Sequence, residues 1–181
     1  MMEESTPVKD ILKNLEPFKL DTEESIGSYV VLRKGDVSIE FDAKDVRNSS
    51  EDTAVTLDFE VIVHNSVLKQ DMIFDCSVQK ANDYDDDDEE EQDDDVEEAS
   101  EPQLLLEGVR VVNSDDNELD EEAYSPNFDE LDEDLQQSFF DFLESHGVKD
   151  TLAGELLPLA EIKEQKEYLE WLANMKAFVA K

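Results

Sequence analysis

The sequence predicts an α+β fold, an antiparallel β-meander in the middle of the chain with amphipathic helices at both ends. Three observations carry this prediction. In several runs between residues 29 and 112 apolar side chains recur at every second position. Before Pro17 and after residue 129 they recur at helical spacing instead. Hydrophobic residues make up 39% of the 181, enough for a core even though 51 acidic residues stand against 15 basic ones and the net charge is -36. The length suits one domain over residues 1–181.

Each element has its own signal. Thr6 before Pro7 marks a helix start, with Val8, Ile11, Leu12 and Leu15 on one face and Pro17 as the stop. Tyr29 to Arg33 and the alternating Val37, Ile39 and Phe41 flank a Gly35-Asp36 pair, which predicts a hairpin. Val55, Leu57, Phe59, Val61 and Val63 share one face of the next strand, and Met72, Phe74, Cys76 and Val78 share one face of the strand after it. Leu104 to Val112 supplies a strand pair, or one strand bulged about Gly108. Residues 129–146 repeat Leu131, Leu135, Phe139, Phe142 and Leu143 at helical spacing, and Gly147 supplies the stop. A last helix is expected over about 159–179, with Ile162, Leu169, Leu172, Met175 and Val179 as its stripe, flanked by Tyr168, Trp171 and Phe178.

Between the strands lies a segment of another kind. Residues 83–98 hold thirteen Asp and Glu and no Lys or Arg. Such a stretch cannot bury enough apolar surface to offset its ordering entropy, so a disordered loop is expected at about 80–102. Asp85, Asp86, Asp87, Asp88, Glu89, Glu90, Glu91, Asp93, Asp94 and Asp95 are the candidate contacts for basic partners, by electrostatic steering. Taking those thirteen acids away leaves 36 - 13 = 23 negative charges, so the remainder is acidic in its own right. Neutrality is the exception. Residues 6–16 and 159–181 each carry zero net charge. Ile11, Leu15, Tyr168, Leu169, Trp171, Leu172, Met175 and Phe178 are therefore the expected helix or subunit interface.

The same charge excludes whole classes of function. A surface at -36 repels phosphate backbones and anionic lipid headgroups, so neither direct nucleic-acid binding nor membrane attachment is expected. No apolar run is long enough for membrane insertion. Lone Cys76 cannot form an internal disulfide. Signals for catalysis are absent: no G-x-S-x-G, P-loop, G-x-G-x-x-G or H-E-x-x-H occurs. His146 in the last turn of a helix is explained by the helix dipole, and Cys76, which a nucleophile pair with His64 would need, falls on an apolar face. Asp83, Asp85 and Asp87 start like a calcium loop, but Asp88 replaces the glycine at position six and Asp94 the glutamate at position twelve. No catalytic residue, cofactor or metal is expected. The first residues have neither a secretory nor a mitochondrial targeting composition, which fits a cytosolic or nuclear protein and a chain already relieved of its targeting peptide equally.

One resemblance narrows this choice. The stretch LQQSFFDFLESHGVKDTLAGELLPLAEIKEQKEYLEWLANMKAFV, residues 135–179, resembles the mitochondrial acidic matrix protein family. Its most specific pieces are Phe142-Leu143 through Gly147-Val148 with Asp150, then Lys166-Glu167-Tyr168-Leu169 and Trp171-Leu172, then Lys176 to Val179. Val31 to Lys34 and Phe74-Asp75-Cys76 echo it more weakly. The resemblance implies a twisted seven-stranded antiparallel sheet with one N-terminal and two C-terminal helices, assembled as a doughnut-shaped homotrimer. It implies a non-enzymatic binding protein, scaffold or chaperone of the mitochondrial matrix, linked to mitochondrial translation, ribosome assembly and oxidative phosphorylation. Basic proteins are the expected partners, with mitochondrial ribosomal and RNA-processing proteins among the candidates. Pro158 falls where the family continues a helix, so a kink or break is expected there. From the residues alone, a nuclear or cytosolic histone-type acidic chaperone is the alternative.

Overall fold

The computed structural model describes residues 6–48, 54–81, 101–114 and 123–180. Helix α1 (Thr6–Asn14) leads into a strand of two residues, β1 (Lys19–Leu20), and then β2 (Tyr29–Lys34) and β3 (Val37–Asp42). After a 3-10 turn come β4 (Val46–Asn48), β5 (Ala54–Asn65), β6 (Gln70–Ala81) and β7 (Gln103–Asn113), followed by α2 (Glu133–Ser145) and α3 (Asp150–Val179). The seven strands form one sheet in the order β1-β2-β3-β5-β6-β7, with β4 also paired to β5 and every pairing antiparallel.

Strands β3 and β4 share the same edge of the long β5. Pairing runs to Glu40↔Glu60 and resumes at Val46↔Leu57, six residues later on one side and three on the other. The three surplus residues are Ala43–Asp45, coiled into the 3-10 turn and capped by the Asp42 carboxylate, which accepts from the Lys44 N–H. At the other edge β7 is a single strand with a bulge, the second of the two expected forms. Asp75 pairs with Gly108 and Cys76 with Leu106, which leaves Glu107 as the extra residue. A Cβ on Gly108 would lie 2.7 Å from the Ser125 hydroxyl and 3.0 Å from the Asp75 carboxylate, so a larger residue there would have to displace both side chains.

Alternation divides the sheet into two faces. Val30, Leu32, Ile39, Phe41, Leu57, Phe59, Val61, Phe74, Cys76 and Val78 turn to the helices and are buried. Phe74 is the hub of an aromatic group, edge-on to Phe139 and stacked with Phe142 at centroid distances of 6.0 and 5.9 Å. Helix α2 ends in a Schellman motif: the Gly147 N–H reaches the Glu144 carbonyl, the Val148 N–H reaches that of Leu143, and Gly147 has φ +90°. Lys34 binds the His146 carbonyl at 2.6 Å, so a cation from β2 sits at the negative end of that helix.

The last helix departs from expectation. It begins at Asp150, not near 159, and runs through Pro158 without a break. A proline inside a helix withholds one N–H and presses its ring on the carbonyl four residues back. Here that residue is Gly154, whose bare backbone lies under the Pro102 ring. Leu152, Ala153, Leu156 and Leu157 before the proline and Leu159 and Ala160 after it are all buried. Packing on both sides holds the helix across the missing bond. Helix α2 is shorter than the expected 129–146, because residues 128–130 form a separate 3-10 turn and Asp132 caps the helix proper. Most of the loop expected at 80–102 lies outside the described residues, and strand β6 persists to Ala81.

Candidate functional site

The second face of the sheet carries the charge. All three arginines of the chain stand on it, and each is bonded to carboxylates. Arg33 holds Asp21 at 3.0 Å and also Glu24, Arg47 holds Asp58, and Arg110 holds Glu60 at 2.6 Å and also Asp75. Strand register explains the last cluster. Glu40 lies opposite Glu60, and Glu60 opposite Asp75, so three carboxylates stand in one row across β3, β5 and β6. Like charges at such positions, about 5 Å apart, repel. Arg110 counters this from β7, and Tyr29 and Ser38 donate to the two Glu40 oxygens at 2.7 and 2.8 Å. Burial, and then the Glu40 hydrogen bond and charge, push the Tyr29 phenol well above its usual range. Burial works against the Arg110 charge, but the hydrogen bonds to Asp75 and Glu60 outweigh it and hold the guanidinium pKa above its ordinary value.

No catalytic machinery emerges among the described residues. His64, Asp71 and Ser114 meet at one end of the sheet, where the His64 Nδ1 and the Ser114 Oγ lie 2.5 and 2.9 Å from the same Asp71 oxygen. Both partners crowd the nitrogen that faces the carboxylate, so the serine is not served by the far ring nitrogen as a triad requires. The group clamps β5, β6 and the end of β7 together. Cys76 is 3% exposed, and burial, with Asp75, Glu107 and Glu60 nearby, pushes its thiol well up; it is packing, not a nucleophile. Among the described residues no three His, Cys, Asp or Glu side chains are grouped to hold a metal. An open cleft of about 420 Å³ between the end of β6 and the first turns of α3 includes Lys80, Glu155 and Glu161 but converges on no reactive pair.

The expected interface residues divide. Leu15 is fully buried and Ile11 half-buried, so both face the chain's own core. Tyr168, Leu169, Trp171, Leu172, Met175 and Phe178 are exposed, from 40% at Leu172 to 79% at Phe178, and Tyr168 stacks on Trp171 at 5.9 Å. The carboxylates at 85–91 and 93–95 lie outside the described residues. Glu40, Glu60 and Asp75 each stand next to apolar core residues in their strands, but their alignment in one row follows from strand register, which no local pattern states.

The chain is thus an acidic protein built on one antiparallel sheet with helices on one face. The family model described as MAM33, mitochondrial glycoprotein, matches residues 1–179, and the chain belongs to that family. The complement component 1 Q subcomponent-binding protein, mitochondrial, of Chlorocebus aethiops is 34% identical over 83 residues, 46% of this chain and 29% of that protein. Mitochondrial acidic protein mam33 of Schizosaccharomyces pombe is 35% identical over 54 residues, 30% of this chain and 20% of that protein. The matches thus span less than a third of these relatives' lengths. Among solved structures, the Trypanosoma brucei p22 protein aligns with TM-score 0.59 and 20% identity, covering 95% of this chain and 96% of that one. A Leishmania major protein, a sequence homologue of the human p32 protein, aligns with TM-score 0.60 and 17% identity, covering 94% of this chain and 93% of that one. Both share the fold. The family is a mitochondrial one, which favours that compartment over the nuclear or cytosolic alternative.

Proposed function

We propose that this chain, as one acidic domain over residues 1–181, is a non-enzymatic scaffold or chaperone of the mitochondrial matrix that binds basic proteins by charge. The observation that carries the reading is the charge itself, -36 in total and -23 without the run at 83–98, laid partly on rigid strands where carboxylates stand in register. The summed field of these acids attracts ammonium and guanidinium groups and accelerates encounter. Mitochondrial translation, ribosome assembly and oxidative phosphorylation are the processes in which such a protein serves, through ribosomal or RNA-processing partners rich in Lys and Arg.

Assembly is part of the same proposal. The distal half of α3 is apolar, exposed and carries no net charge, so a homotrimer built on it buries that surface with little repulsion. Equilibrium binding to peptides of equal length but net charge of opposite sign tests the reading. Basic peptides should bind and lose affinity steeply between low and physiological salt, and acidic ones should not bind. Equal affinity for both, or binding insensitive to salt, overturns it.

A further inference from the structure

The open cleft between the end of β6 and the first turns of α3 combines three kinds of surface. Gly154, Glu155, Pro158 and Glu161 line it from one side of the helix. Val55, Ala81 and Pro102 give it apolar walls, with Lys80 beside them. Pro158 has no N–H, so the Gly154 carbonyl lacks the donor that a helix supplies four residues on. That carbonyl points along the helix toward residue 158, and both residues border the cleft. A carbonyl without its helical donor, two carboxylates and apolar walls therefore share one cavity of about 420 Å³.

We propose that this cleft holds a lysine or arginine side chain of a basic protein partner. The cationic head faces the Glu155 and Glu161 carboxylates and the Gly154 carbonyl, and the methylene stem lies along Pro102 and Pro158. This rests on the charge reading above and gives that reading a place on the molecule. Charge selects the occupant. The chain leaves the sheet at Ala81 and returns at Pro102, both on the cleft wall, so the thirteen acids of residues 83–98 are tethered to its rim and concentrate cations there. Acids on the far face of the sheet are already answered, since Asp21, Asp58, Glu60 and Asp75 bind the chain's own arginines. Lys80 opposes the same occupant, so its removal has the opposite sign from removal of the glutamates.

Fluorescence anisotropy with a labelled hexalysine peptide at about 0.15 M ionic strength tests this. The double variant E155Q/E161Q should weaken binding about fivefold or more. E23Q/E130Q removes two exposed carboxylates outside the cleft and should weaken it less than about twofold. K80Q should strengthen binding about twofold. T151W places a bulky neutral side chain at an exposed lining position and should weaken binding without any change of charge. Equal losses for the two glutamate pairs overturn the cleft and leave capture by the overall field in place. So does a K80Q chain that binds more weakly than the parent, or a folded T151W chain that binds equally well. Hexalysine that does not bind, or binds without salt dependence, defeats the charge reading and the cleft with it.

Discussion

Replacing Arg110 by glutamine should destabilise the protein by about 2 kcal/mol and make its stability depend on salt in a new way. The guanidinium is 16% exposed and makes two charge-assisted hydrogen bonds, to Asp75 and Glu60, which are themselves 35% and 34% exposed. Losing two such bonds from a dry site would cost about 3 kcal/mol or more. Partial exposure of the carboxylates lowers this through solvent screening, to roughly 2 kcal/mol. Part of the loss is the bare repulsion between Glu60 and Asp75, which face each other across β5 and β6. Urea unfolding at fixed protein concentration reads the effect as a midpoint lowered by about 1 M, for a slope near 2 kcal/mol per M. Adding E60Q to R110Q should return about 1 kcal/mol, because one of the two repelling charges is gone. Salt should stabilise R110Q more than the parent. An R110Q protein within about 0.5 kcal/mol of the parent at low ionic strength refutes the view that Arg110 neutralises the row.

Three further outcomes are expected. The Tyr29 phenol is raised in the folded state, so its contribution is fully present below its unfolded pKa near 10 and is lost as pH climbs above that value; absorbance titration and unfolding midpoints should show alkaline loss that Y29F lessens. A side chain at Gly154 would lie 2.3 Å from the Pro102 ring, so G154V should lower stability by about 2 kcal/mol in thermal unfolding, and an unchanged melting temperature contradicts the close approach. If copies associate, raising salt to about 0.5 M should strengthen the oligomer by screening, and light scattering that shows dissociation instead contradicts a contact made through neutral surfaces.

The parts of the fold legible in the sequence are those with a local cause. The hairpin about Gly35-Asp36, the alternating faces of β5 and β6 and the glycine stop of α2 all appear where the residues place them. The start of α3 was hidden because Lys149 caps it without any side-chain hydrogen bond, and Asp150 spends its carboxylate on the Leu104 N–H at 2.8 Å. Pro158 then argued for a boundary that tertiary packing overrides. Strands β1 and β4 are two and three residues long, too short for a period to show. The functional surfaces divide in the same way. Charge and the α3 stripe are written along the chain, whereas the carboxylate row and its arginine run from Glu40 to Arg110 in the sequence.

Capture of basic partners by the field of the chain should show in association rates. The intact chain and one lacking residues 83–98 would be compared against one basic polypeptide by stopped flow over a range of ionic strength. The deletion should associate more slowly at low salt, with a shallower salt slope and little change in dissociation, because steering acts before contact. Binding should persist on the remaining charge of -23. Association rates that are identical for the two proteins and flat with salt would contradict capture by that field.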